Sequence, residues 1–273
     1  METLQLDDLH LAYQVHGQGE PVVLIGGTGM PPTIWDHLLV PALTEVGYQA
    51  ITFANRGVSP SDGPPAPYSV TQMAADTAHL IEHLGLDRCR LVGVSLGGFI
   101  AEELSHTRPE LIDAAVLIAS AGPTTAFTRA RMEAERELFA ACDIPESYDF
   151  IDALSSMLPP TTLQDDDTTV QNWASILRDG VSAWAGDGRH GQYEAVWAWL
   201  LDENKTDRYP HISVPTLVIG FEHDLTFPPS SGRQAAEAMP NGQFHQITGA
   251  AHGGFVIQAE NNQRAILNFF SRT

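Results

Sequence analysis

Along most of this 273-residue chain, short apolar runs alternate with stretches whose apolar residues recur at helical spacing. The apolar runs are rich in β-branched residues and end in glycine or turn residues, which is typical of buried strands. They are "VVLIGG" at 22–27, "YQAITFA" at 48–54, "CRLVGV" at 89–94, "AAVLIAS" at 114–120, "VPTLVIG" at 214–220 and "GQFHQI" at 242–247. Strands that alternate with helices predict an α/β fold whose mostly parallel sheet is covered by helices on both faces.

The helical stretches between these runs carry start and stop signals. The stretch 34–47 ends at Gly47, and glycine commonly follows the last turn of a helix. The stretch 69–85 begins at Ser69, whose hydroxyl can cap a helix, and ends at Gly85. Further helices are predicted directly after the run at 89–94 and at the end of the chain, over 263–270.

One long segment departs from this alternation. Between about residues 122 and 211 we find helical patterns, among them the stretch 170–184, and no convincing buried strand. The acidic run at 165–167 we interpret as a solvated loop. We therefore predict a helical insertion over 122–211, with the sheet domain formed by 1–121 and 212–273. The insertion contains four of the five tryptophans, Trp173, Trp184, Trp197 and Trp199. These either pack the insertion onto the sheet domain or line an apolar pocket above it.

The charge balance limits the kinds of partner. The formal net charge is −20, so the chain repels phosphate backbones and anionic membrane surfaces, and we expect neither nucleic acid nor membrane as a partner. The first residues are acidic and do not resemble a secretory signal, and no apolar run reaches about 18 residues. We expect a cytoplasmic protein. The sequence gives no oligomeric state.

The stretch "LVGVSLGGFIAEEL" at 91–104 carries the clearest chemical signal. Ser95 lies between Gly93 and Gly97, with a predicted strand before it and a predicted helix after it. The pattern G-x-S-x-G in this context predicts a sharp strand-to-helix turn that exposes the serine hydroxyl at the carboxyl edge of the sheet. A serine hydroxyl is a weak nucleophile until a base held by a third group removes its proton.

Candidates for the base and the third group lie downstream of Ser95. Asp224 follows the strand at 214–220, and His252 follows the strand at 242–247, so both lie past the carboxyl ends of strands. Glu222 also precedes His252 and could in principle orient it. His223 we interpret as a solvent-facing neighbour. The order serine, acid, histidine matches that of one known arrangement.

These features together resemble the α/β-hydrolase fold with a helical cap, a group that contains esterases, thioesterases, lactonases, C–C hydrolases and cofactor-free haloperoxidases. The resemblance extends over nearly the whole chain from about Pro21. It implies an eight-stranded, mostly parallel sheet with the insertion as a cap. It also implies that Ser95 is the nucleophile, Asp224 the acid and His252 the base, with no cofactor and no metal.

The resemblance also implies an oxyanion hole, two backbone N–H groups that bind the developing negative charge. By position these are the N–H groups of Leu96 and Thr28. The chain departs from the family pattern here, because Gly26 stands where a histidine is common. A second departure is Asn55, which replaces an aspartate in "FANRGVSPSD". We expect Arg56 in that stretch to have a structural role, bonding backbone near the serine turn.

Two other patterns in the sequence bear on metal and nucleotide binding. His79 and His83 stand one helical turn apart near Asp76, a spacing that suits metal ligands, but a solvated helix face is much the better explanation, since no third strong ligand cluster is evident. "GGTG" at 26–29 lacks the lysine and the length of a phosphate-binding loop. We therefore predict neither a metal site nor a nucleotide site.

The function that we expect is hydrolysis or acyl transfer on a small apolar ester, thioester or lactone through an acyl-enzyme. The alternative is another use of the same fold: a cofactor-free haloperoxidase or perhydrolase, a C–C bond hydrolase, or a ligand-binding receptor. We expect Trp184, Trp197, Phe127 and Met132 to contact the substrate. Phe139 and Trp173 are also expected on the inner face of the insertion, and Glu133, Glu135 and Glu137 on its outer face.

Overall fold

The structure is a computed structural model that describes residues 1–142, 144–178 and 183–273. In this part of the chain eight strands form one sheet, in the order β1-β2-β4-β3-β5-β6-β7-β8. β2 runs antiparallel to its neighbours β1 and β4. The other six strands, β3 to β8, run parallel to one another. The strands are β1 (Glu2–Gln5), β2 (His10–His16), β3 (Glu20–Ile25), β4 (Tyr48–Phe53), β5 (Cys89–Val94), β6 (Ile112–Ile118), β7 (Thr216–Phe221) and β8 (Gly242–Ile247).

Helices cover both faces of this sheet. The helices of the described residues are α1 (Thr33–Leu38), α2 (Val40–Glu45), α3 (Val70–His83), α4 (Leu96–Thr107), α5 (Ala126–Ala141), α6 (Glu146–Met157), α7 (Pro160–Asp165), α8 (Asp167–Arg178), α9 (Gly188–Leu201), α10 (Pro229–Ala238), α11 (Gly254–Ile257) and α12 (Ala259–Phe270). None of the helices in the described ranges combines the length and the apolar character needed to cross a membrane.

Successive residues of the central strands enter two different apolar cores. In β3, Val23 and Ile25 pack into the core that contains residues of α3 and α4, whereas Val22 and Leu24 pack into the core that contains residues of α1, α2 and α12. This follows from strand geometry, since successive side chains point to opposite faces of the sheet. A strand buried on both faces reads as a continuous apolar run, and the prediction of a mostly parallel, doubly covered sheet is confirmed.

The helix signals are confirmed at α3 and need correction near residue 39. The Ser69 hydroxyl accepts a hydrogen bond from Gln72 N, and Gly85 follows the helix with φ +64°. The single helix predicted over 34–47 is in fact two short helices, α1 and α2. Leu39 leaves helical geometry between them with φ −128°, and Pro41 in the first turn of α2 has no N–H to continue the first helix.

The insertion forms α5 to α9, between β6 and β7. Two predictions within it need correction. The helix predicted over 170–184 matches α8 as far as Arg178, but Trp184 forms an isolated β-bridge with Val58. Residues 179–182 of that prediction lie outside the described residues. The acidic run at 165–167 is not a loop, because Asp166 separates α7 from α8 and its carboxylate accepts a hydrogen bond from Thr169 N.

Candidate active site

Ser95 occupies a strained turn between β5 and α4. Its φ of 53° and ψ of −120° are uncommon for any residue other than glycine. Its backbone N–H donates to the Ile118 carbonyl at 2.9 Å, which ties the turn to the neighbouring strand β6. The turn places Ser95 at the carboxyl edge of the parallel strands, where folds of this kind bind ligands.

The two glycines of the pattern are required by close backbone contacts. A Cβ atom at Gly93 would lie 2.1 Å from the Gly97 carbonyl oxygen. A Cβ atom at Gly97 would lie 2.1 Å from the Ile25 carbonyl oxygen. Both distances are far below van der Waals contact, so a larger residue at either position would displace the backbone around Ser95. These contacts explain why the turn carries glycine at both positions.

The structure brings Asp224, and not Glu222, to His252. The His252 Nδ1 and Asp224 Oδ2 atoms are 2.8 Å apart, and the Asp224 side chain is fully buried. The other carboxylate oxygen of Asp224 accepts hydrogen bonds from Thr226 N and Phe227 N, both at 2.9 Å. Glu222 instead accepts a hydrogen bond from the Gly249 N–H group and is largely exposed. Asp224 is therefore fixed in the position that orients the imidazole.

The loop between β8 and α11, which carries His252 and is called the histidine loop below, also contacts the insertion. The backbone N–H groups of His252 and Gly253 donate to the carbonyls of Ser156 and Met157, at 3.2 and 3.0 Å. Both carbonyls belong to the last turn of α6. The imidazole stacks on Phe227, with ring centroids 5.5 Å apart. The insertion thus takes part in holding His252 in place.

The loop after β3, residues 26–30, runs beside Ser95 and is called the oxyanion loop below. A Cβ atom at Gly27 would lie 3.4 Å from the Ser95 Cβ atom, so the two backbones are close. Thr28, which follows, lines the same cavity as Ser95. Leu96 is the first residue of α4, where N–H groups have no partner within the helix. Both predicted donors thus lie beside the nucleophile.

Side chains hold the oxyanion loop from two sides. The Asn55 Nδ2 group donates to the Gly26 carbonyl at 3.0 Å, and the Gln192 Oε1 atom accepts from Gly29 N at 2.9 Å. Asn55, the departure noted in the sequence, therefore has a structural role at the site. Gln192 was missed by the sequence analysis, because a buried glutamine on an insertion helix has no local signal that links it to a distant loop.

Ser95, Thr28 and His252 line one cavity of about 280 Å³ beneath the insertion. Most of its wall is apolar or aromatic: Met30, Ile34, Val94, Phe99, Met132, Tyr148, Ala153, Met157, Trp173, Leu177, Trp184, Tyr193, Val196, Leu200, Phe227, Phe255 and Val256. Among the predicted substrate contacts, Met132 and Trp184 do lie in this wall. The insertion thus contributes a substantial part of the wall above Ser95.

Two predicted contact residues lie elsewhere. Phe127 is 54% exposed, because the inward face of α5 is formed by Thr128, Met132 and Glu135. Trp197 is buried behind the wall, where it packs on Phe139 with ring centroids 5.0 Å apart. The expected contacts of Phe127 and Trp197 with substrate are therefore corrected.

A charged cluster lies in the part of the wall formed by α5 and α6. Arg131 donates to Glu135 Oε1 at 2.8 Å and also pairs with Asp152. Burial raises the pKa of both carboxyl groups, and the arginine opposes that rise. Glu135 was expected on the outer face together with Glu133 and Glu137. It is buried instead, because it stands one turn after Arg131 and receives the Trp197 indole N–H at 3.3 Å.

Arg56 has a structural role, but through carboxylates and not through backbone carbonyls. Its Nε and Nη2 atoms donate to the two oxygens of Asp76, at 2.6 and 2.8 Å, and Nη1 donates to Asp8 at 2.9 Å. Asp76 is therefore engaged by Arg56, while His79 is exposed. Among the described residues no group of three or more histidine, cysteine or acidic side chains could hold a metal ion.

A serine in a strand-to-helix turn, at the carboxyl edge of a mostly parallel sheet and under a helical insertion, defines a class of α/β enzymes. The chain belongs to the alpha/beta hydrolase fold family, whose model matches residues 20–258. The match includes Ser95, Asp224 and His252.

The names of individual relatives refer to several different activities. The chain is 37% identical over 267 residues to the Mycobacterium tuberculosis H37Rv protein named "Putative non-heme bromoperoxidase BpoC", over 96% of this chain and 98% of the relative. The crystal structure of BpoC superposes with a TM-score of 0.85 at 36% identity, over 96% of each chain. A protein of Variovorax paradoxus S110 named "Putative carbamate hydrolase RutD" is 27% identical over 266 residues, 96% of each chain.

A more distant structure supports the fold alone. The enol-lactonase of Burkholderia xenovorans LB400 is 19% identical and superposes with a TM-score of 0.79, over 99% of this chain and 100% of that one. The family and the site make this chain an enzyme of the α/β-hydrolase family.

Proposed function

We propose that this enzyme hydrolyses a small apolar ester, thioester or lactone through an acyl-enzyme on Ser95. The observation that carries the proposal is the shared cavity: the serine on its strained turn and His252, which is paired with the buried Asp224, line the same largely apolar space. An acyl group that enters this space meets a nucleophile, a base and candidate oxyanion donors together.

The chemistry proceeds in two halves. His252 takes the proton of the Ser95 hydroxyl, and the serine oxygen attacks the carbonyl carbon while the N–H groups of Thr28 and Leu96 bind the oxyanion. The bond to the leaving alcohol or thiol then breaks, and His252 returns the proton to that group. Water repeats the same steps on the acyl-enzyme and releases the carboxylic acid.

The wall of the cavity favours a neutral acyl group. Aromatic and aliphatic side chains form most of it, so burial of an apolar acyl group in the cavity is favourable. Its charged part contains three carboxylates, Glu135, Asp149 and Asp152. Two guanidiniums pair with them, since Arg131 binds Glu135 and Asp152 and Arg189 binds Asp149 at 2.8 Å, so one negative charge is left in excess. An anionic acyl group is disfavoured there by like charge, and the same repulsion assists release of the acid product.

The proposal is tested by a panel of p-nitrophenyl esters, acyl thioesters and lactones of increasing acyl size. We expect turnover of short neutral substrates, and loss of that turnover by about 10³-fold or more in Ser95→Ala. A Ser95→Ala variant that keeps the wild-type rate on the preferred substrate contradicts the proposal.

A second candidate is perhydrolysis, in which hydrogen peroxide replaces water as the acceptor of the acyl group. The observation in its favour is the 37% identity to a protein named as a non-heme bromoperoxidase. Hydrogen peroxide attacks the acyl-enzyme and leaves as a peracid, which then oxidises bromide. Adding hydrogen peroxide and bromide to a turnover assay separates the two reactions, because only perhydrolysis yields a brominating oxidant that depends on Ser95.

A further inference from the structure

We propose that Gln192, on α9 of the insertion, is a positioning residue that holds the oxyanion loop in its working geometry. The proposal rests on the proposed function, because it assigns Gln192 a role in stabilising the oxyanion that forms on Ser95. Gln192 does not line the cavity, so it acts through the loop and not on the substrate.

Both ends of the Gln192 amide are used. Its Oε1 atom accepts from Gly29 N at 2.9 Å, and its Nε2 group donates to the Arg56 carbonyl at 2.8 Å. The side chain is fully buried. Because one partner is a donor and the other an acceptor, only a side chain that carries both functions can satisfy the two buried backbone groups.

A second set of contacts ties the same loop to the insertion. Ala183 N donates to the Gly29 carbonyl at 3.2 Å, and the Ala183 carbonyl accepts from Ser59 N at 2.6 Å. Trp184, the next residue, forms the bridge with Val58 and lines the cavity. The backbone groups of Gly29 are thus held on both sides by residues of the insertion.

The composition of the loop explains why it needs such support. Gly26, Gly27 and Gly29 leave its backbone with few steric restrictions, and no histidine side chain stands at position 26 to anchor it. An oxyanion hole is effective only when its donors are fixed before the charge develops. The Thr28 N–H group lies one residue before the Gly29 N–H group that Gln192 holds, so release of Gly29 frees the predicted donor.

The test compares Gln192→Leu and Gln192→Glu with the wild-type enzyme. We expect kcat on the best p-nitrophenyl ester to fall about 10-fold in Gln192→Leu, with KM nearly unchanged. This loss is smaller than the roughly 10²–10³-fold loss that removal of an oxyanion donor causes. Gln192→Glu retains an acceptor for Gly29 N but loses the donor to Arg56, so we expect an intermediate loss. Because glutamate and glutamine have nearly the same shape, the same kinetics can be measured on Gln192→Glu if Gln192→Leu does not fold.

A second readout isolates the oxyanion. An alkyl trifluoromethyl ketone adds to the serine and places a charged oxygen in the oxyanion hole. We expect its affinity to fall by the same factor as kcat/KM in both Gln192 variants. The control is Thr77→Val, which removes a buried side-chain hydrogen bond on α3 outside the cavity and should leave kcat and ketone affinity at wild-type values.

The outcomes separate the two proposals. If the wild-type enzyme binds the ketone on Ser95 and the folded Gln192 variants keep its kcat and its ketone affinity, the positioning role is wrong while the proposed function stands. A rise in KM at constant kcat also contradicts the positioning role. If the ketone forms no adduct with Ser95 in the wild-type enzyme, the proposed function fails, and this inference fails with it.

Discussion

At Ser95 the backbone is held with φ 53° and ψ −120°, a geometry that costs a non-glycine residue on the order of 1–3 kcal/mol. The surroundings impose it: Gly93 and Gly97 let the turn close against neighbouring carbonyls, and the Ile118 carbonyl receives the Ser95 N–H. At this scale a few atoms decide the chemistry. Local contacts also decide which carboxylate orients His252, since the side chains of Glu222 and Asp224 differ mainly in the groups that they contact.

The first prediction concerns this pair of carboxylates. Asp224→Asn should lower kcat on the preferred ester by about 10⁴-fold, because the buried partner of His252 Nδ1 then no longer fixes the imidazole tautomer. Glu222→Gln should change kcat by less than about 3-fold, since Glu222 contacts a backbone N–H group and not the imidazole. Steady-state kinetics of the two matched variants decide the assignment, and a reversed order of effects would show that Asp224 is not the acid.

Among the elements, the insertion contributes most to what distinguishes this site. α5, α6, α8 and α9 all supply residues to the cavity wall, and α6 also bonds the backbone of the histidine loop. Trp184 is placed in the wall by the isolated β-bridge that it forms with Val58. Much of the wall therefore comes from elements that do not carry the nucleophile, and this part of the wall can change substrate preference without changing the reaction.

The second prediction tests this separation. Trp184→Ala enlarges the cavity, so kcat/KM should rise for the larger acyl esters relative to the smallest one, by about 10-fold for a difference of one or two methylene groups. The matched control is Phe127→Ala, which removes an exposed aromatic side chain of the same insertion and should leave the ranking of substrates unchanged. If both variants preserve the wild-type ranking, Trp184 does not select the substrate.

For the whole molecule, the buried ion pair of Arg56 joins three separate parts of the chain. Arg56 follows β4, Asp76 lies on α3 and Asp8 lies in the turn between β1 and β2. Arg56 and Asp76 are both nearly inaccessible, whereas Asp8 is about half exposed. Loss of the Asp76 contact is therefore the more costly of the two, because it leaves a buried charge unpaired, whereas exposed pairs contribute little.

The third prediction follows from that burial. Arg56→Met should lower the free energy of unfolding by about 3–5 kcal/mol at pH 8, because Asp76 is left as an unpaired buried charge. Burial already raises the pKa of Asp76, and without the arginine this pKa rises further above its unfolded value of 3.8. The folded variant therefore loses stability as the pH rises, and its deficit should be smaller at pH 5 than at pH 8.

The check is urea unfolding of the wild-type protein, Arg56→Met and the double variant Arg56→Met/Asp76→Leu at both pH values. The double variant removes both buried charges and should recover most of the lost stability. A deficit that does not depend on pH, or a double variant less stable than the single one, contradicts this account of the pair.

The sequence predicts β3 to β8 and the serine turn well, because their signals are local, whereas β1 and β2 were not predicted from the residues. The run at 89–94 matches β5 in both bounds, and the glycines around Ser95 are required by contacts within one turn and the next strand. The position of His252 and Asp224 after strands also follows from local patterns. What could not be predicted depends on partners that are distant in sequence.

The insertion shows this limit most clearly. Glu135 looks like a surface residue until Arg131 and the indole of Trp197 are placed beside it. Trp184 was assigned to a helix, yet its partner Val58 lies more than a hundred residues earlier in the chain. Gln192 acts on a loop that no local pattern connects to it. In each case the role of the residue depends on a partner that is distant in sequence, which no local pattern encodes.

The central claim is that Ser95 is the covalent nucleophile, and the most direct test is its reaction with an alkyl fluorophosphonate. Intact-mass and peptide mass spectrometry should show one adduct, on the peptide that contains Ser95, and none in Ser95→Ala. The Asp224→Asn variant should acquire the same adduct far more slowly. An adduct on another residue, or an active enzyme that reacts nowhere while its turnover continues, would contradict the account.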